Sequence, residues 1–213
     1  MFLYLSIVAI AVVVISVLNI VFVSSYPFDN YALWIIVATV LSTVAEIVFE
    51  LLIAGIVEWL PSKCYKKDGW LYMCTKKESL FYDKLKIRSW KERIPELGSL
   101  CGFRKNKIQN PNDPEYISRF IEEAKKAVVI HIVCGVLGFL VIFILPLKYW
   151  WRIGLPVGIV SFVLNIMPVL VQRYNIPKLK VLEKRAIRNA SRRKSSTETK
   201  EDTTSVNAQI EEI

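Results

Sequence analysis

Long stretches without charge constrain the fold of this chain more than any other feature. No charged side chain occurs from Phe2 to Val23, and further apolar stretches run from Tyr31 to Leu60, from Ala127 to Leu147 and from Trp150 to Val171. About 20 apolar residues in a helix cover the hydrocarbon core of a bilayer. We therefore expect an all-α, polytopic membrane protein with four transmembrane helices.

The first apolar stretch has an alternative interpretation as a cleaved signal peptide. Such a peptide has a shorter apolar region, which follows a basic leader and ends in a small-residue cleavage site. No basic residue precedes Phe2. The pattern therefore favours a retained span.

Lysine and arginine are concentrated on one side of the predicted spans. Of the 28, sixteen lie from Pro61 to Lys126 and ten follow Val171, which leaves Lys148 and Arg152 for the other side. The positive-inside rule then places the N-terminus, the long loop and the tail in the cytoplasm, in a multi-pass protein of the cell membrane. Anionic lipid headgroups explain basic charge beside spans, so we expect membrane lipids as partners and no nucleic acid.

The chain divides into four predicted regions: an N-terminal transmembrane hairpin (1–60), a cytoplasmic interfacial loop (61–113), a C-terminal helical hairpin (114–179) and a disordered basic tail (180–213). The loop is rich in aromatic residues, which favour the headgroup level, so we expect a membrane-associated loop. Its apolar spacing from Phe81 to Trp90 fits neither a helical nor a strand period. Asp113 can cap a helix that starts at Pro114, and the tail has the composition of a segment without a core.

The cysteines show no pattern that indicates a metal site. They form no CxxC pair, and the lone histidine completes no zinc-like spacing. In a reducing cytoplasm we expect free thiols, with no metal and no cofactor.

Three titratable residues lie inside predicted spans, namely Glu46, Glu50 and His131. Such groups cost about 2.5 to 3.5 kcal/mol each on insertion scales and are functional candidates for that reason. Glu46 and Glu50 are four residues apart and share a helix face, so we expect a basic partner or protonation of one of them. His131 is the only histidine. It is either a satisfied polar side chain or a group for proton transfer near neutral pH.

Three further features occur in a characteristic order along the chain. They are the run Trp90 to Pro95, then Glu123 followed eight residues later by His131, and then Asn165, Pro168 and the run Gln172 to Pro177. In this order they resemble the glycosyl-4,4'-diaponeurosporenoate acyltransferase family, membrane enzymes that place a fatty acyl chain on a carotenoid glycoside. The resemblance covers 61–179, and its most specific piece is the run Gln172 to Pro177.

The resemblance implies acyl transfer to a hydroxyl of a glycolipid or lipid-linked acceptor at the cytoplasmic face, from acyl-CoA or another activated acyl donor. His131 and Glu123 match the family's motif, and His131 would act as general base. The family has a second glutamate three residues before the histidine, where this chain has Val128, so Glu46 or Glu50 would have to orient the imidazole.

From the chemistry of the motif side chains we further infer a set of substrate contacts. Lys91, Arg93 and Arg173 would hold a phosphate-bearing donor or headgroup, and Gln172 or Asn175 would donate hydrogen bonds to the oxyanion. The whole expected substrate-binding set is Trp90, Lys91, Arg93, Asn165, Gln172, Arg173, Tyr174 and Asn175.

Two other functions stay open from the sequence. One is a non-catalytic lipid-binding or scaffold protein, which would need no carboxylate to orient His131. The other is a small transporter subunit that uses Glu46 and Glu50 as a proton or cation site, with a water path across the membrane.

Overall fold

A computed structural model describes residues 2–22, 30–94 and 108–211, and the regular elements of these ranges are all helical. The α-helices are α1 (Phe2–Phe22), α2 (Tyr31–Trp59), α3 (Lys63–Lys66), α4 (Lys76–Lys84), α5 (Ile87–Trp90), α6 (Pro114–Leu137) and α7 (Leu155–Glu211). Short 3-10 helices cover Lys91–Arg93, Gly138–Ile144 and Leu147–Tyr149, and a π-helical turn covers Trp150–Gly154.

Four helices are long and apolar enough to cross a membrane. They are α1, α2, α6 with its 3-10 continuation, and the π-helical turn with α7. These match the four apolar stretches of the sequence, so the all-α class and the count of four apolar helices are confirmed. The chain is a membrane protein.

The start of α6 follows from its first three residues. The Asp113 carboxylate accepts hydrogen bonds from the backbone N–H groups of Glu115 and Tyr116, at 2.9 and 3.3 Å. Pro114 takes the first helical position, where its missing N–H costs nothing. The predicted helix start is therefore confirmed.

The core lies mainly between α6 and α7. Ile117 and Val128 of α6 and Ile176 of α7 are fully buried and belong to one apolar cluster. Val128 thus fills a packing position in this chain, where a carboxylate would be unpaired.

Helices α4 and α5 of the interfacial loop fold onto the opposite side of α7. Tyr82 of α4 and Ile87 of α5 are buried with Val171 and Tyr174 of α7. Helix α4 begins with a capping box, in which the Thr75 hydroxyl accepts from the Glu78 N–H and the Glu78 carboxylate accepts from the Thr75 N–H. The loop is a folded layer on α7 in this range.

Helix α7 extends into the segment 180–213, for which the sequence predicted a disordered tail. Helix α7 continues to Glu211, and Leu179 and Ala186 are buried in the core cluster. Alanine, lysine, arginine and glutamate are good helix formers, and a helix that is already nucleated extends at little cost. A segment with few core-forming residues is therefore helical here, as an extension of α7.

Candidate functional site

His131 lies at the centre of a polar cluster that three helices build inside the apolar layer. Its Nδ1 atom lies 2.8 Å from Oδ1 of Asn165 on α7. The Asn165 amide nitrogen donates to Oε1 of Glu50 on α2 at 2.5 Å and to the Ser161 carbonyl at 3.0 Å. The contact that we expected between His131 and a carboxylate therefore runs through Asn165.

These contacts determine which ring nitrogen of His131 carries the proton. The Ser161 carbonyl can only accept, so the Asn165 atom facing it must be the NH2 group, and the amide oxygen must face His131. That oxygen can only accept, so Nδ1 of a neutral imidazole is the protonated nitrogen. Nε2 then keeps its lone pair, and it meets no hydrogen-bond partner among the described residues.

Neutral donors surround the carboxyl pair of α2. The Ser161 hydroxyl lies 2.7 Å from Oε1 of Glu46 and 3.1 Å from Oε1 of Glu50, and the Tyr4 hydroxyl donates to Glu50 at 3.4 Å. No ion pair joins either carboxyl to a basic side chain in the part of the chain that the structure describes. The sequence left two alternatives for this pair, a basic partner or protonation of one carboxyl group. Among the described residues the structure shows no basic partner.

A glycine makes room for the Glu46 carboxyl. Gly138 follows the last residue of α6, and a Cβ atom built there would overlap Oε1 of Glu46 and lie 3.1 Å from the Ser161 hydroxyl. Any other residue at this position would have to displace the carboxyl group. Gly138 therefore permits the close approach of α6, α2 and α7 at the polar cluster.

A narrow, mostly apolar cleft adjoins the carboxyl pair. Helices α1, α2 and α7 line it, with Tyr4, Glu46, Glu50 and Ser161 as its main polar side chains. Its remaining wall consists largely of aliphatic residues, among them Val8, Val12, Ile15, Ile47, Val157, Val160 and Leu164. The carboxyl pair therefore lies at the edge of an otherwise apolar surface.

Glu123 does not join this cluster. Its carboxylate pairs with Lys126 at 2.9 Å, and Lys126 also binds Glu58 at the end of α2, at 3.1 Å. Eight residues of helix place Glu123 about 12 Å from His131 along the axis. The Lys126–Glu58 pair ties α6 to the end of α2.

Arg173 holds the interfacial loop with its whole guanidinium group. Its Nε donates to Glu78 at 2.7 Å, one terminal nitrogen donates to the Trp70 and Leu71 carbonyls, and the other donates to Met73 at 3.1 Å and Glu78 at 2.8 Å. These contacts use all five N–H donors. The hydrogen bonds from Arg173 hold the pKa of Glu78 below its ordinary value of 4.5. Arg173 has no donor left for a substrate phosphate.

The remaining motif residues lie on the loop side of α7. Lys91 donates to Oδ1 of Asn175 at 3.3 Å, and the indole N–H of Trp90 donates to the Leu85 carbonyl at 2.9 Å. The Arg93 side chain lies outside the described part of the structure. Gln172 and Asn175 lie seven and ten residues beyond Asn165, which is about 10 and 15 Å along α7, so the helix does not bring them to the His131 ring.

The structure thus separates the predicted site residues into two groups. His131, Asn165, Glu46 and Glu50 come together, whereas Arg173, Tyr174 and Asn175 face the loop. Glu123 belongs to neither group. Sequence reasoning missed Ser161, Tyr4 and Gly138. Ser161 precedes Asn165 by one helical turn, and that spacing was the available signal.

Four apolar helices with a histidine and two carboxyl groups at their centre define a membrane protein with an intramembrane polar site. The family model for glycosyl-4,4'-diaponeurosporenoate acyltransferase matches residues 61–185, more than half of the chain. The chain belongs to this family and is an enzyme of the acyltransferase class. No curated protein and no solved structure matches it significantly.

Proposed function

We propose that the chain transfers a fatty acyl group to a hydroxyl of a glycolipid or lipid-linked acceptor at the cytoplasmic face of the cell membrane. The contact between His131 and Asn165, with Asn165 fixed by Glu50 and Ser161, carries this proposal. It supplies a neutral imidazole with a fixed tautomer inside an apolar layer. A base of this kind suits a hydroxyl substrate that is itself dissolved in the membrane.

In the proposed step His131 Nε2 takes the proton of the acceptor hydroxyl while the hydroxyl oxygen attacks the acyl carbonyl carbon. An ester bond forms, the bond from the acyl carbon to the leaving group breaks, and the imidazolium returns its proton to the leaving group. The donor is an acyl thioester such as acyl-CoA, or another activated acyl chain. The cleft beside Glu46 and Glu50 offers an apolar wall for one of the two lipid chains.

Asn165 gives this base a particular property. An amide neither gives up nor takes a proton at neutral pH, so Asn165 orients the ring without passing its proton to Glu50. The proton taken by Nε2 therefore stays on the imidazolium until it passes to the leaving group. Glu50 lies behind Asn165 and faces the positive charge of the imidazolium through the amide. In this mechanism Asn165 and Glu50 are positioning residues, and His131 alone touches the reacting atoms.

The test is product formation by His131 variants in membranes. His131→Gln and His131→Ala should lower the rate of lipid acylation by about 100-fold or more, as expected for a positioned base. Thr39→Val is a matched control, because Thr39 is a buried polar residue of α2 whose hydroxyl bonds only to the Ile35 carbonyl of its own helix. Lipid extracts of a deletion strain complemented with each variant would identify the acceptor.

Two variants of Glu50 test whether it positions Asn165 by accepting its hydrogen bond. Glu50→Gln keeps an oxygen that can accept from Asn165, so the loss in kcat should stay below about tenfold. Glu50→Leu removes the acceptor and should cost more, with little change in KM. If the His131 variants formed product at the wild-type rate, the proposed mechanism would be wrong and the non-catalytic scaffold function would be favoured.

A further inference from the structure

Two lysine ammonium groups meet at one aromatic ring on the loop side of α7. The Lys178 nitrogen lies 3.3 Å from the centre of the Tyr174 ring, and the Lys91 nitrogen lies 5.7 Å from the same centre. Tyr174 is nine residues beyond Asn165, which is about 14 Å along the helix and half a turn around it. This cluster is therefore separate from the polar cluster at His131.

The cluster offers hydrogen-bond donors almost exclusively. Oδ1 of Asn175 accepts from Lys91 at 3.3 Å, which leaves the amide NH2 group of Asn175 as a further donor. Each ammonium carries three N–H groups, and the described contacts use one, at Lys91. Lys178 is solvent-exposed, so its donors are accessible from the outside.

The missing partner is a negative charge. Neighbouring cations each pair with a carboxylate in the described ranges: Arg173 with Glu78, Lys125 and Lys180 with Asp68, and Lys126 with Glu58 and Glu123. Lys91 and Lys178 form no ion pair within those ranges, although Asp83 and Glu92 are close in the sequence. Two ammonium groups at one ring repel each other, and the face of the ring offsets only part of this repulsion.

We propose that Lys91, Lys178 and Asn175 form a binding site for a phosphate group beside the Tyr174 ring. An anion between the two lysines would replace their repulsion with two charge-assisted hydrogen bonds. The site lies just after the last apolar stretch of α7, the level at which lipid phosphates occur. The shared chemistry is a phosphate ester, carried either by a membrane lipid or by a soluble molecule.

This proposal does not depend on acyl transfer, because the site lies away from His131 and binding is measured without turnover. Full-length protein in neutral detergent is titrated by calorimetry with dihexanoyl phosphatidic acid and, separately, with inorganic phosphate. The variants are Lys91→Gln, Lys178→Gln and the double variant. Lys77→Gln is the matched control, since Lys77 is an exposed lysine of α4 without an ion pair among the described residues.

Each single substitution should weaken binding by about fivefold and the double substitution by about 25-fold, the size expected for losing one and two lysines beside an anionic headgroup. Binding of the lipid alone identifies a headgroup site, and equal occupancy by inorganic phosphate identifies a soluble phosphate ester. Either result supports the site if Lys77→Gln binds like wild type. Wild-type affinity in the double variant, at an unchanged unfolding midpoint, overturns it, as does an equal loss in Lys77→Gln.

Discussion

At the scale of single residues, Arg173 shows why an arginine is required where a lysine would carry the same charge. The planar guanidinium group binds one carboxylate, Glu78, and the three loop carbonyl groups of Trp70, Leu71 and Met73 at once. Lysine has three donors at a single point and cannot span these acceptors. Arg173 belongs to the run Gln172 to Pro177, within the range that matches the family, and its contacts indicate that this run stabilises the loop.

The Glu78–Arg173 pair predicts a dependence of stability on pH. Because the pKa of Glu78 is lowered in the folded protein, its contribution is complete above the ordinary value of 4.5 and is lost as the pH falls through the lower folded-state pKa. The unfolding midpoint of detergent-solubilised protein should therefore drop as the pH falls below about 4.5. Glu78→Gln should be less stable above that pH and should flatten this part of the profile. A profile in Glu78→Gln that is as steep as in wild type would contradict the assignment.

At the scale of helices, the sequence predicted those features that depend on a local residue pattern, namely the apolar helices and one helix start. The apolar helices follow from apolar stretches of membrane-spanning length, and the start of α6 follows from Asp113 and Pro114. Helix α4 was missed because nine residues are too short for a visible period, although Thr75 and Glu78 already showed the spacing of a capping box.

Contacts between helices could not be predicted in the same way. Whether Asn165 faces His131 depends on how α6 and α7 are rotated and how closely they approach. Two glycines of this region allow the helices to approach closely. A Cβ built at Gly135 would lie 3.4 Å from the Asn165 Cβ, and the missing side chain of Gly138 leaves space for the Glu46 carboxyl group. A single sequence shows glycines but not which partner each one admits, so the carboxylate contact was expected directly at His131.

Gly138→Ala tests this account at the level of helix packing. The new methyl group would displace the Glu46 carboxyl and disturb the Ser161 hydroxyl, so we expect acylation to fall by about tenfold, equivalent to 1.4 kcal/mol. Gly55→Ala is the matched control, because no atom lies within 4 Å of a Cβ built at Gly55 in α2. This control should keep full activity and gain up to about 1 kcal/mol from helix propensity. Equal activity of the two variants would contradict the role of Gly138.

At the scale of the whole molecule, exposed tryptophans mark the two ends of the apolar layer. Trp59 at the end of α2 and Trp70 in the loop are 92% and 84% exposed, and Trp151 in the π-helical turn is 73% exposed. Tryptophan favours the membrane–water interface, so these side chains predict the two headgroup levels. The ion pairs of Lys125 and Lys126 lie at the same end of the layer as Trp59 and Trp70. Most of the basic residues also belong to this end.

The orientation of the layer decides which acyl donors can reach His131. The excess of lysine and arginine predicts that the loop is cytoplasmic and that the turn at Leu147 is outside. In a variant without the native cysteines, an impermeant maleimide added to intact cells should label Leu147→Cys, which is an exposed position. Lys77→Cys should be labelled only after permeabilisation, and Val136→Cys, on the apolar surface of α6, in neither condition. The reverse pattern for Leu147 and Lys77 would place the loop outside the cell. His131 lies five residues beyond Lys126, on the loop side of the apolar layer. That side would then face away from the cytoplasm, and a soluble donor such as acyl-CoA would be excluded.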